Sequence, residues 1–346
     1  MLGSTFRIGE HLPVHRIVQG GMGIRISLSG LASAVANCGG VGVISATGIG
    51  AFESDFRTNP IQATIRALEK EILSARERSS GIIGVNVMCV LSNFSEIVHT
   101  AISKRIDVIF AGAGLPLDLP KYLTNNTSTA LVPIISSAKA ASIIIRRWMK
   151  RFNRKPDALV LEGPMAGGHL GFKTKDINDA SFSLERLLNE VLKVTKDMNI
   201  PVIAGGGVHS GDDLRRLIGL GASAVQLGSR FVATEECDAS KSFKQSYTNC
   251  SKDDLRIIES PVGLPGRAIT NCFLDDVENG LKKPYTCPYH CIKTCKYKNS
   301  PYCIADALLN AQVGDLDNGF AFAGGNAYKI KEISTVKKVI NELVNH

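Results

Sequence analysis

Short apolar runs alternate with longer amphipathic ones along the first two thirds of the chain. Eight runs rich in β-branched and small residues stand out: RIVQG (16–20), VGVISA (41–46), IIGVNVM (82–88), DVIFAG (107–112), ALVPII (130–135), DALVLEG (157–163), PVIAGGG (201–207) and SAVQLGS (223–229). Each is apolar on both faces and ends in small residues, as suits parallel strands covered by helices. Between them SLSGLASAVANCG, PIQATIRALEKEILSARERS, FSEIVHTAISKR, AKAASIIIRRWMKRF, FSLERLLNEVLKVTKDM and SGDDLRRLIGLG carry helical patterns. Pro60 suits a first helical turn, and Ser210 ahead of Asp212 and Asp213 suits a cap. Eight strands alternating with helices predict a (β/α)8 TIM barrel, with a doubly wound open sheet as the alternative. After residue 230 the rhythm stops. We therefore expect residues 1–233 to form the barrel and 234–346 a helical, cysteine-rich cap over its mouth.

The length of 346 residues agrees with one barrel and an appendage, since α/β barrels run to about 250 residues as one unit. With 44% hydrophobic and 21% charged residues the chain can bury a sizeable core. No apolar run reaches the ~20 residues needed to cross a bilayer. The stretch MLGSTFRIGEHLPVHRIV lacks the apolar core of a signal peptide, so a cytoplasmic protein without membrane partners is expected. The net charge is +8. Its densest run, RRWMKRFNRK (146–155), reads as the solvated end of a helix, because no aromatic interleaving or nucleic-acid motif accompanies it. A positive balance would also suit an anionic small molecule or an acidic carrier protein.

In such barrels function collects where the strands end. The glycines fall there: QGGMG (19–23), GVN (84–86), AGAG (111–114), EGPMAGGHLG (162–171), AGGG (204–207) and QLGS (226–229). The last two follow the seventh and eighth strands, where these barrels commonly hold phosphate. Gly206 and Gly207 would let bare N–H groups approach the anion. Gly228 and Ser229 would add an N–H and a hydroxyl, with a following helix turned positive end inward. The bland alternative is a set of tight turns. Glycine at the remaining strand ends suits a flat cofactor lying across the mouth, such as flavin mononucleotide (FMN), with Asn86, Glu162 and Gln226 as polar partners. No well-spaced dinucleotide fingerprint follows the first strand, so nicotinamide would be a passing substrate. Of seven histidines only His169 stands in a glycine-rich strand-end loop, where an imidazole can move a proton or hold an anion.

Together QGGMG, GVN, EGPMAGGHLG, PVIAGGG and QLGSRF resemble the nitronate monooxygenase family, whose fold is shared by the FMN-dependent enoyl-acyl-carrier-protein reductases. The resemblance covers about residues 10–240. It implies FMN held by Gln19, Gly20, Gly21, Met22, Asn86, Glu162, Gly167, Gly206, Gly207, Gln226, Leu227, Gly228 and Ser229, with His169 as the catalytic histidine and no metal in the chemistry. Glutamate at 162, where many of the monooxygenases have glutamine, is shared with the reductases. The resemblance thus implies either oxidation of an anionic alkyl nitronate with O2 to a carbonyl compound and nitrite, or NAD(P)H-driven reduction of an enoyl thioester. The cysteine-rich tail favours the monooxygenase. An FMN-binding sensor is the non-enzymatic alternative, and a homodimer stays open.

Four of nine cysteines crowd into CPYHCIKTCKYKNSPYC (287–303). On a helix Cys287, Cys291 and Cys295 would share one face. Four thiolates, with Cys303, suit zinc or an iron–sulfur cluster, their charge offset by lysines 282, 283, 293, 296 and 298. The spacing is not that of paired zinc knuckles, and reduced thiols packing a helical cap are the expected reading.

Overall fold

The structure, a computed structural model, describes residues 6–123, 128–281, 287, 289–295 and 297–345. All eight expected strands form. They are β1 (Ile17–Gln19), β2 (Gly42–Ser45), β3 (Ile83–Met88), β4 (Val108–Gly112), β5 (Ala130–Ile135), β6 (Leu159–Glu162), β8 (Val202–Gly205) and β9 (Ala224–Leu227), while β7 (Gly168–His169) lies in the loop after β6. The parallel order β1-β9-β8-β6-β5-β4-β3-β2 runs round a barrel, which a parallel bridge between Val18 and Val41 closes.

Why these runs are apolar on both faces is clear from the register. Val18, Val43, Val108, Phe110, Val132, Val160, Ile203 and Ala224 fill the barrel interior, with Phe6 and Ile8 in the same cluster. Their neighbours Ile17, Ile44, Ile109, Leu131, Leu159, Leu161, Val202 and Val225 pack outward under the helices. Period-two alternation carried one step further places Gly20, Ser45, Asn86, Gly112, Ile134, Glu162 and Gln226 as a ring inside the mouth.

The helices are α1 (Ser29–Asn37), α2 (Pro60–Arg78), α3 (Phe94–Ser103), α4 (Ala138–Phe152), α5 (Leu184–Thr195), α6 (Gly211–Gly219) and the short α7 (Ser229–Val232). Pro60 opens α2, and Ser210 with Asp213 forms a reciprocal capping box on α6. The basic run 146–155 includes the end of α4, where Arg147 and Arg151 share Asp118. No helix among the described residues is long and apolar enough to cross a membrane.

The segment 234–346 is not wholly helical, contrary to expectation. It holds α8 (Lys241–Asn249), α9 (Cys272–Glu278), α10 (Ile304–Val313) and α11 (Val336–Val344), but also an antiparallel hairpin, β10 (Leu255–Glu259) and β11 (Pro265–Ile269). Two five-residue strands joined by a glycine- and proline-bearing turn left little period to read. The segment also divides in space. Thr234 pairs with Ser334, just ahead of α11, and α11 packs against α1 and α6, the place of the eighth barrel helix.

Candidate functional site

One large cavity, about 530 Å³, opens at the C-terminal ends of the barrel strands. The predicted residues Gly20, Gly21, Met22, Asn86, Glu162, Gly167, His169, Gly206, Gly207, Gln226, Leu227, Gly228 and Ser229 all line it. Gln19 does not. Alternation turns it away from the interior, and its side-chain amide acts as a surrogate peptide across the seam. Its Nε2 donates to the Val43 carbonyl at 3.1 Å, and its Oε1 accepts the Val43 N–H at 2.8 Å. Counting register from Val18 would have found this in the sequence.

The glycines do different work from one another. At Gly206, φ is +97°, and an added Cβ would stand 2.8 Å from the Gly163 carbonyl oxygen, so glycine there serves the β6–β8 junction itself. Gly167 makes close contact with the cap, since a Cβ would meet the backbone of Ala323 and Gly324 at 2.6 and 2.7 Å. At Gly228 there is room on an ordinary backbone: a Cβ would touch Met22 Sδ alone, at 3.5 Å.

The cap supplies residues that the strand-end reading missed. Ser229 Oγ accepts the Gly324 N–H at 2.9 Å, and Asn326 Nδ2 donates to the Gly207 carbonyl at 2.5 Å. FAGGNAY (322–328) was the available signal, a glycine pair and an asparagine in an otherwise apolar stretch. His209 and Arg230 also line this end of the cavity. Burial first, then the charges of Arg230 and Lys329, pull the His209 imidazole down to about 4. Arg230, beside it, is ion-paired with Glu342.

His169 is held from the cap side as well. Its strand β7 pairs with β11, Gly266 opposite His169 and Arg267 opposite Gly168. The buried Arg267 donates from Nη1 to the Pro164 and Ala166 carbonyls at 2.6 and 2.8 Å. The imidazole meets Phe322 edge to face, ring centroids 5.0 Å apart, and its Nε2 lies 2.7 Å from Ser260 Oγ. Burial lowers its pKa to about 4, so the ring is neutral at pH 7.

Glu162 opens only into the cavity, and burial raises its pKa to about 7. An acid raised in the folded state contributes most stability below its unfolded value, near pH 4.5, and that contribution is lost as pH climbs through 7. In flavin-free protein the melting temperature is expected to fall relative to Glu162→Gln across that window. Parallel melting curves for the two proteins would show that this carboxyl is unshifted.

The cysteine segment borders the same cavity through Tyr289, Cys291 and Ile292. It is not the expected helix: none of the described residues from 287 to 295 is helical. Its backbone pairs instead with the loop after β3, Leu91 with Ile292, and Lys293 N–H to the Val90 carbonyl at 3.0 Å. Lys282, Lys283 and Lys296 lie outside the described residues. Burial, and then the nearby thiols of Cys303, Cys287 and Cys295, push Cys291 up to about 12. Among the described residues no three Cys, His, Asp or Glu side chains gather closely enough to hold a metal ion. Metal analysis of freshly purified protein is expected to give well under one zinc or iron per chain. A stoichiometric metal would make this segment a metal-stapled unit.

The cavity suits FMN. Two of its buried polar atoms, Ser45 Oγ and Arg230 Nε, have no hydrogen-bond partner among the described residues, and each would gain one from a polar ligand. The open face at Gly228 leaves room beside the loops after β8 and β9. Barrel, glycine cradle and histidine loop together define a flavin oxidoreductase with FMN as cofactor. The chain belongs to the nitronate monooxygenase family, whose sequence model matches residues 5–346. FabK from Thermotoga maritima is 28% identical, with a TM-score of 0.74 over 96% of this chain and 92% of that one. A Mycobacterium tuberculosis "(3aS,4S,5R,7aS)-5-hydroxy-7a-methyl-1-oxo-octahydro-1H-indene-4-carboxyl-CoA dehydrogenase" is 25% identical over 78% of this chain. A "Probable nitronate monooxygenase" of Staphylococcus aureus is 28% identical over 52% of it. The matches span 66% and 48% of those two curated relatives.

Proposed function

We propose that this protein is an FMN-dependent nitronate monooxygenase, oxidising alkyl nitronates with O2 to carbonyl compounds and nitrite. The observation that carries the reading is the setting of His169, a neutral imidazole held by Ser260 and Phe322 on the wall of a cavity that glycines and apolar groups line in large part. Such a group can donate a hydrogen bond to the oxygen of an anion. In this reading Gly206, Gly207, Gly228, Ser229 and Arg230 take the phosphate. Gly20, Gly21, Met22, Asn86, Glu162 and Gln226 lie along the ring and ribityl chain, Gly167 and Leu227 complete the wall, and Gln19 is left to the barrel seam. FMN supplies the electron-transfer chemistry when bound. The chain binds and orients the anion, and Phe56, Ile292, Ile304 and Leu308 exclude water.

That apolar wall favours a second reading, because it is longer than a short nitronate requires. An NAD(P)H-dependent reductase of enoyl thioesters would use it for the acyl chain. The visible spectrum of the purified protein tests for flavin. Enzyme mixed with an alkyl nitronate in air, with nitrite followed, then tests the first reading. NADH or NADPH without air, followed by an enoyl thioester, tests the second. Nitrite release with no nicotinamide requirement supports the monooxygenase. Rapid flavin bleaching reversed only by the thioester transfers the assignment to the reductase. Bound flavin with neither activity leaves a flavin-binding sensor.

A further inference from the structure

Ser260 sits outside the barrel, in the turn between β10 and β11, and is 6% exposed. The turn is tightly set. Ser260 N–H donates to the Leu264 carbonyl at 3.1 Å, Gly263 N–H donates back to the Ser260 carbonyl at 2.9 Å, and Gly263 takes φ +80°. The hairpin that carries Ser260 also grips the backbone of the histidine loop on both sides. β11 pairs with Gly168 and His169, and Leu170 N–H donates to the Pro265 carbonyl at 2.8 Å. Backbone pairing therefore holds the chain that carries Ser260 in register with the chain that carries the ring.

The protons can be placed from this geometry. Ser260 Oγ accepts the Val262 N–H at 3.5 Å. Its own hydroxyl proton has one acceptor among the described residues, the Nε2 of His169 at 2.7 Å. A buried hydroxyl that leaves its proton unbonded is destabilising. Donation to Nε2 avoids that cost and requires a lone pair there. A neutral imidazole then carries its proton on Nδ1, which has no partner among the described residues.

We propose that Ser260 is a positioning residue that holds His169 in its Nδ1–H tautomer, so that the ring offers the substrate a hydrogen-bond donor and not a base. This rests on the reading of His169 as the group that meets substrate, and it makes that reading narrower. A donor can take the oxygen of a nitronate or of a thioester carbonyl. It cannot remove a proton from a neutral nitroalkane, so the parent nitroalkane should be a poor substrate where its nitronate is a good one.

The test uses the FMN-loaded enzyme with 15N-labelled histidine, the His169 ring signals being identified by their loss in His169→Gln. At neutral pH the parent is expected to show a protonated Nδ1 and an unprotonated Nε2. Ser260→Ala is expected to lose this single tautomer, and Ser260→Thr to keep it. A protonated Nε2 in the parent, or an unchanged ring in Ser260→Ala, would overturn the proposal. On alkyl nitronate in air, Ser260→Ala should lose about tenfold or more in kcat/KM, chiefly through KM, while Ser260→Thr stays within about threefold of the parent. Equal losses in both variants would mark Ser260 as merely structural and also overturn it. If no nitrite forms with any protein, the monooxygenase reading fails, and the ring signals still decide the tautomer.

Discussion

His169→Ala is expected to keep its FMN and to lose about 10²-fold or more in turnover, the scale of a positioned proton-handling or anion-binding group. The separation follows from where the two ends of the site are anchored. His169 is fixed by β11, Ser260 and Phe322, all of the cap. The loops proposed to take the phosphate follow β8 and β9 and are tied to Gly324 and Asn326. Removing the imidazole breaks no bond at that second end. The measurement is paired: the flavin-to-protein absorbance ratio, and turnover in whichever assay the parent supports. Parent-like rates would remove the histidine from the mechanism. Loss of flavin together with rate would make it part of the cradle.

The second large effect is at Gly228. Gly228→Val should bind FMN at least ~10²-fold more weakly, while without flavin its melting temperature stays close to that of the flavin-free parent. About 2.8 kcal/mol corresponds to such a change. The backbone there has φ −108°, and the new side chain would enter the cavity beside Ser229. Gly206 is a poorer probe, although the sequence marks it equally. A side chain at Gly206 would strain a left-handed backbone and strike Gly163, so lost flavin could not be told from a damaged junction. Full FMN occupancy in Gly228→Val would remove the loop after β9 from the phosphate site.

Strand positions were legible because burial on both faces writes itself as continuous apolar runs, and the ring of inward residues follows by counting alternate positions. The same count excludes Gln19, which a motif read as a block had included. The cap was less legible, for a physical reason. Its contacts to the site are made largely by backbone: β11 against β7, and Gly324 N–H on Ser229. Backbone pairing leaves little trace in residue type. Ser260 is a serine in a turn, with nothing in its surroundings to announce that it reaches a histidine 91 positions earlier. The cysteines misled in the opposite sense. Their even spacing suggested a helical face, but the segment finds its hydrogen bonds in the loop after β3 instead.

The meeting of Thr234 with Ser334 bears on how the chain is made. Ribosomal synthesis delivers all eight barrel strands by Leu227, yet the helix that fills the last gap, α11, begins only at Val336. In between, the nascent barrel has an uncovered flank beside α1 and α6, where Val339, Ile340 and Leu343 will later be buried. The intervening excursion leaves and returns at one point, so it can fold as a unit without threading through the barrel. Grafting a relative's excursion between residues 233 and 335 would then exchange the roof over the flavin while leaving the barrel's own assembly order intact.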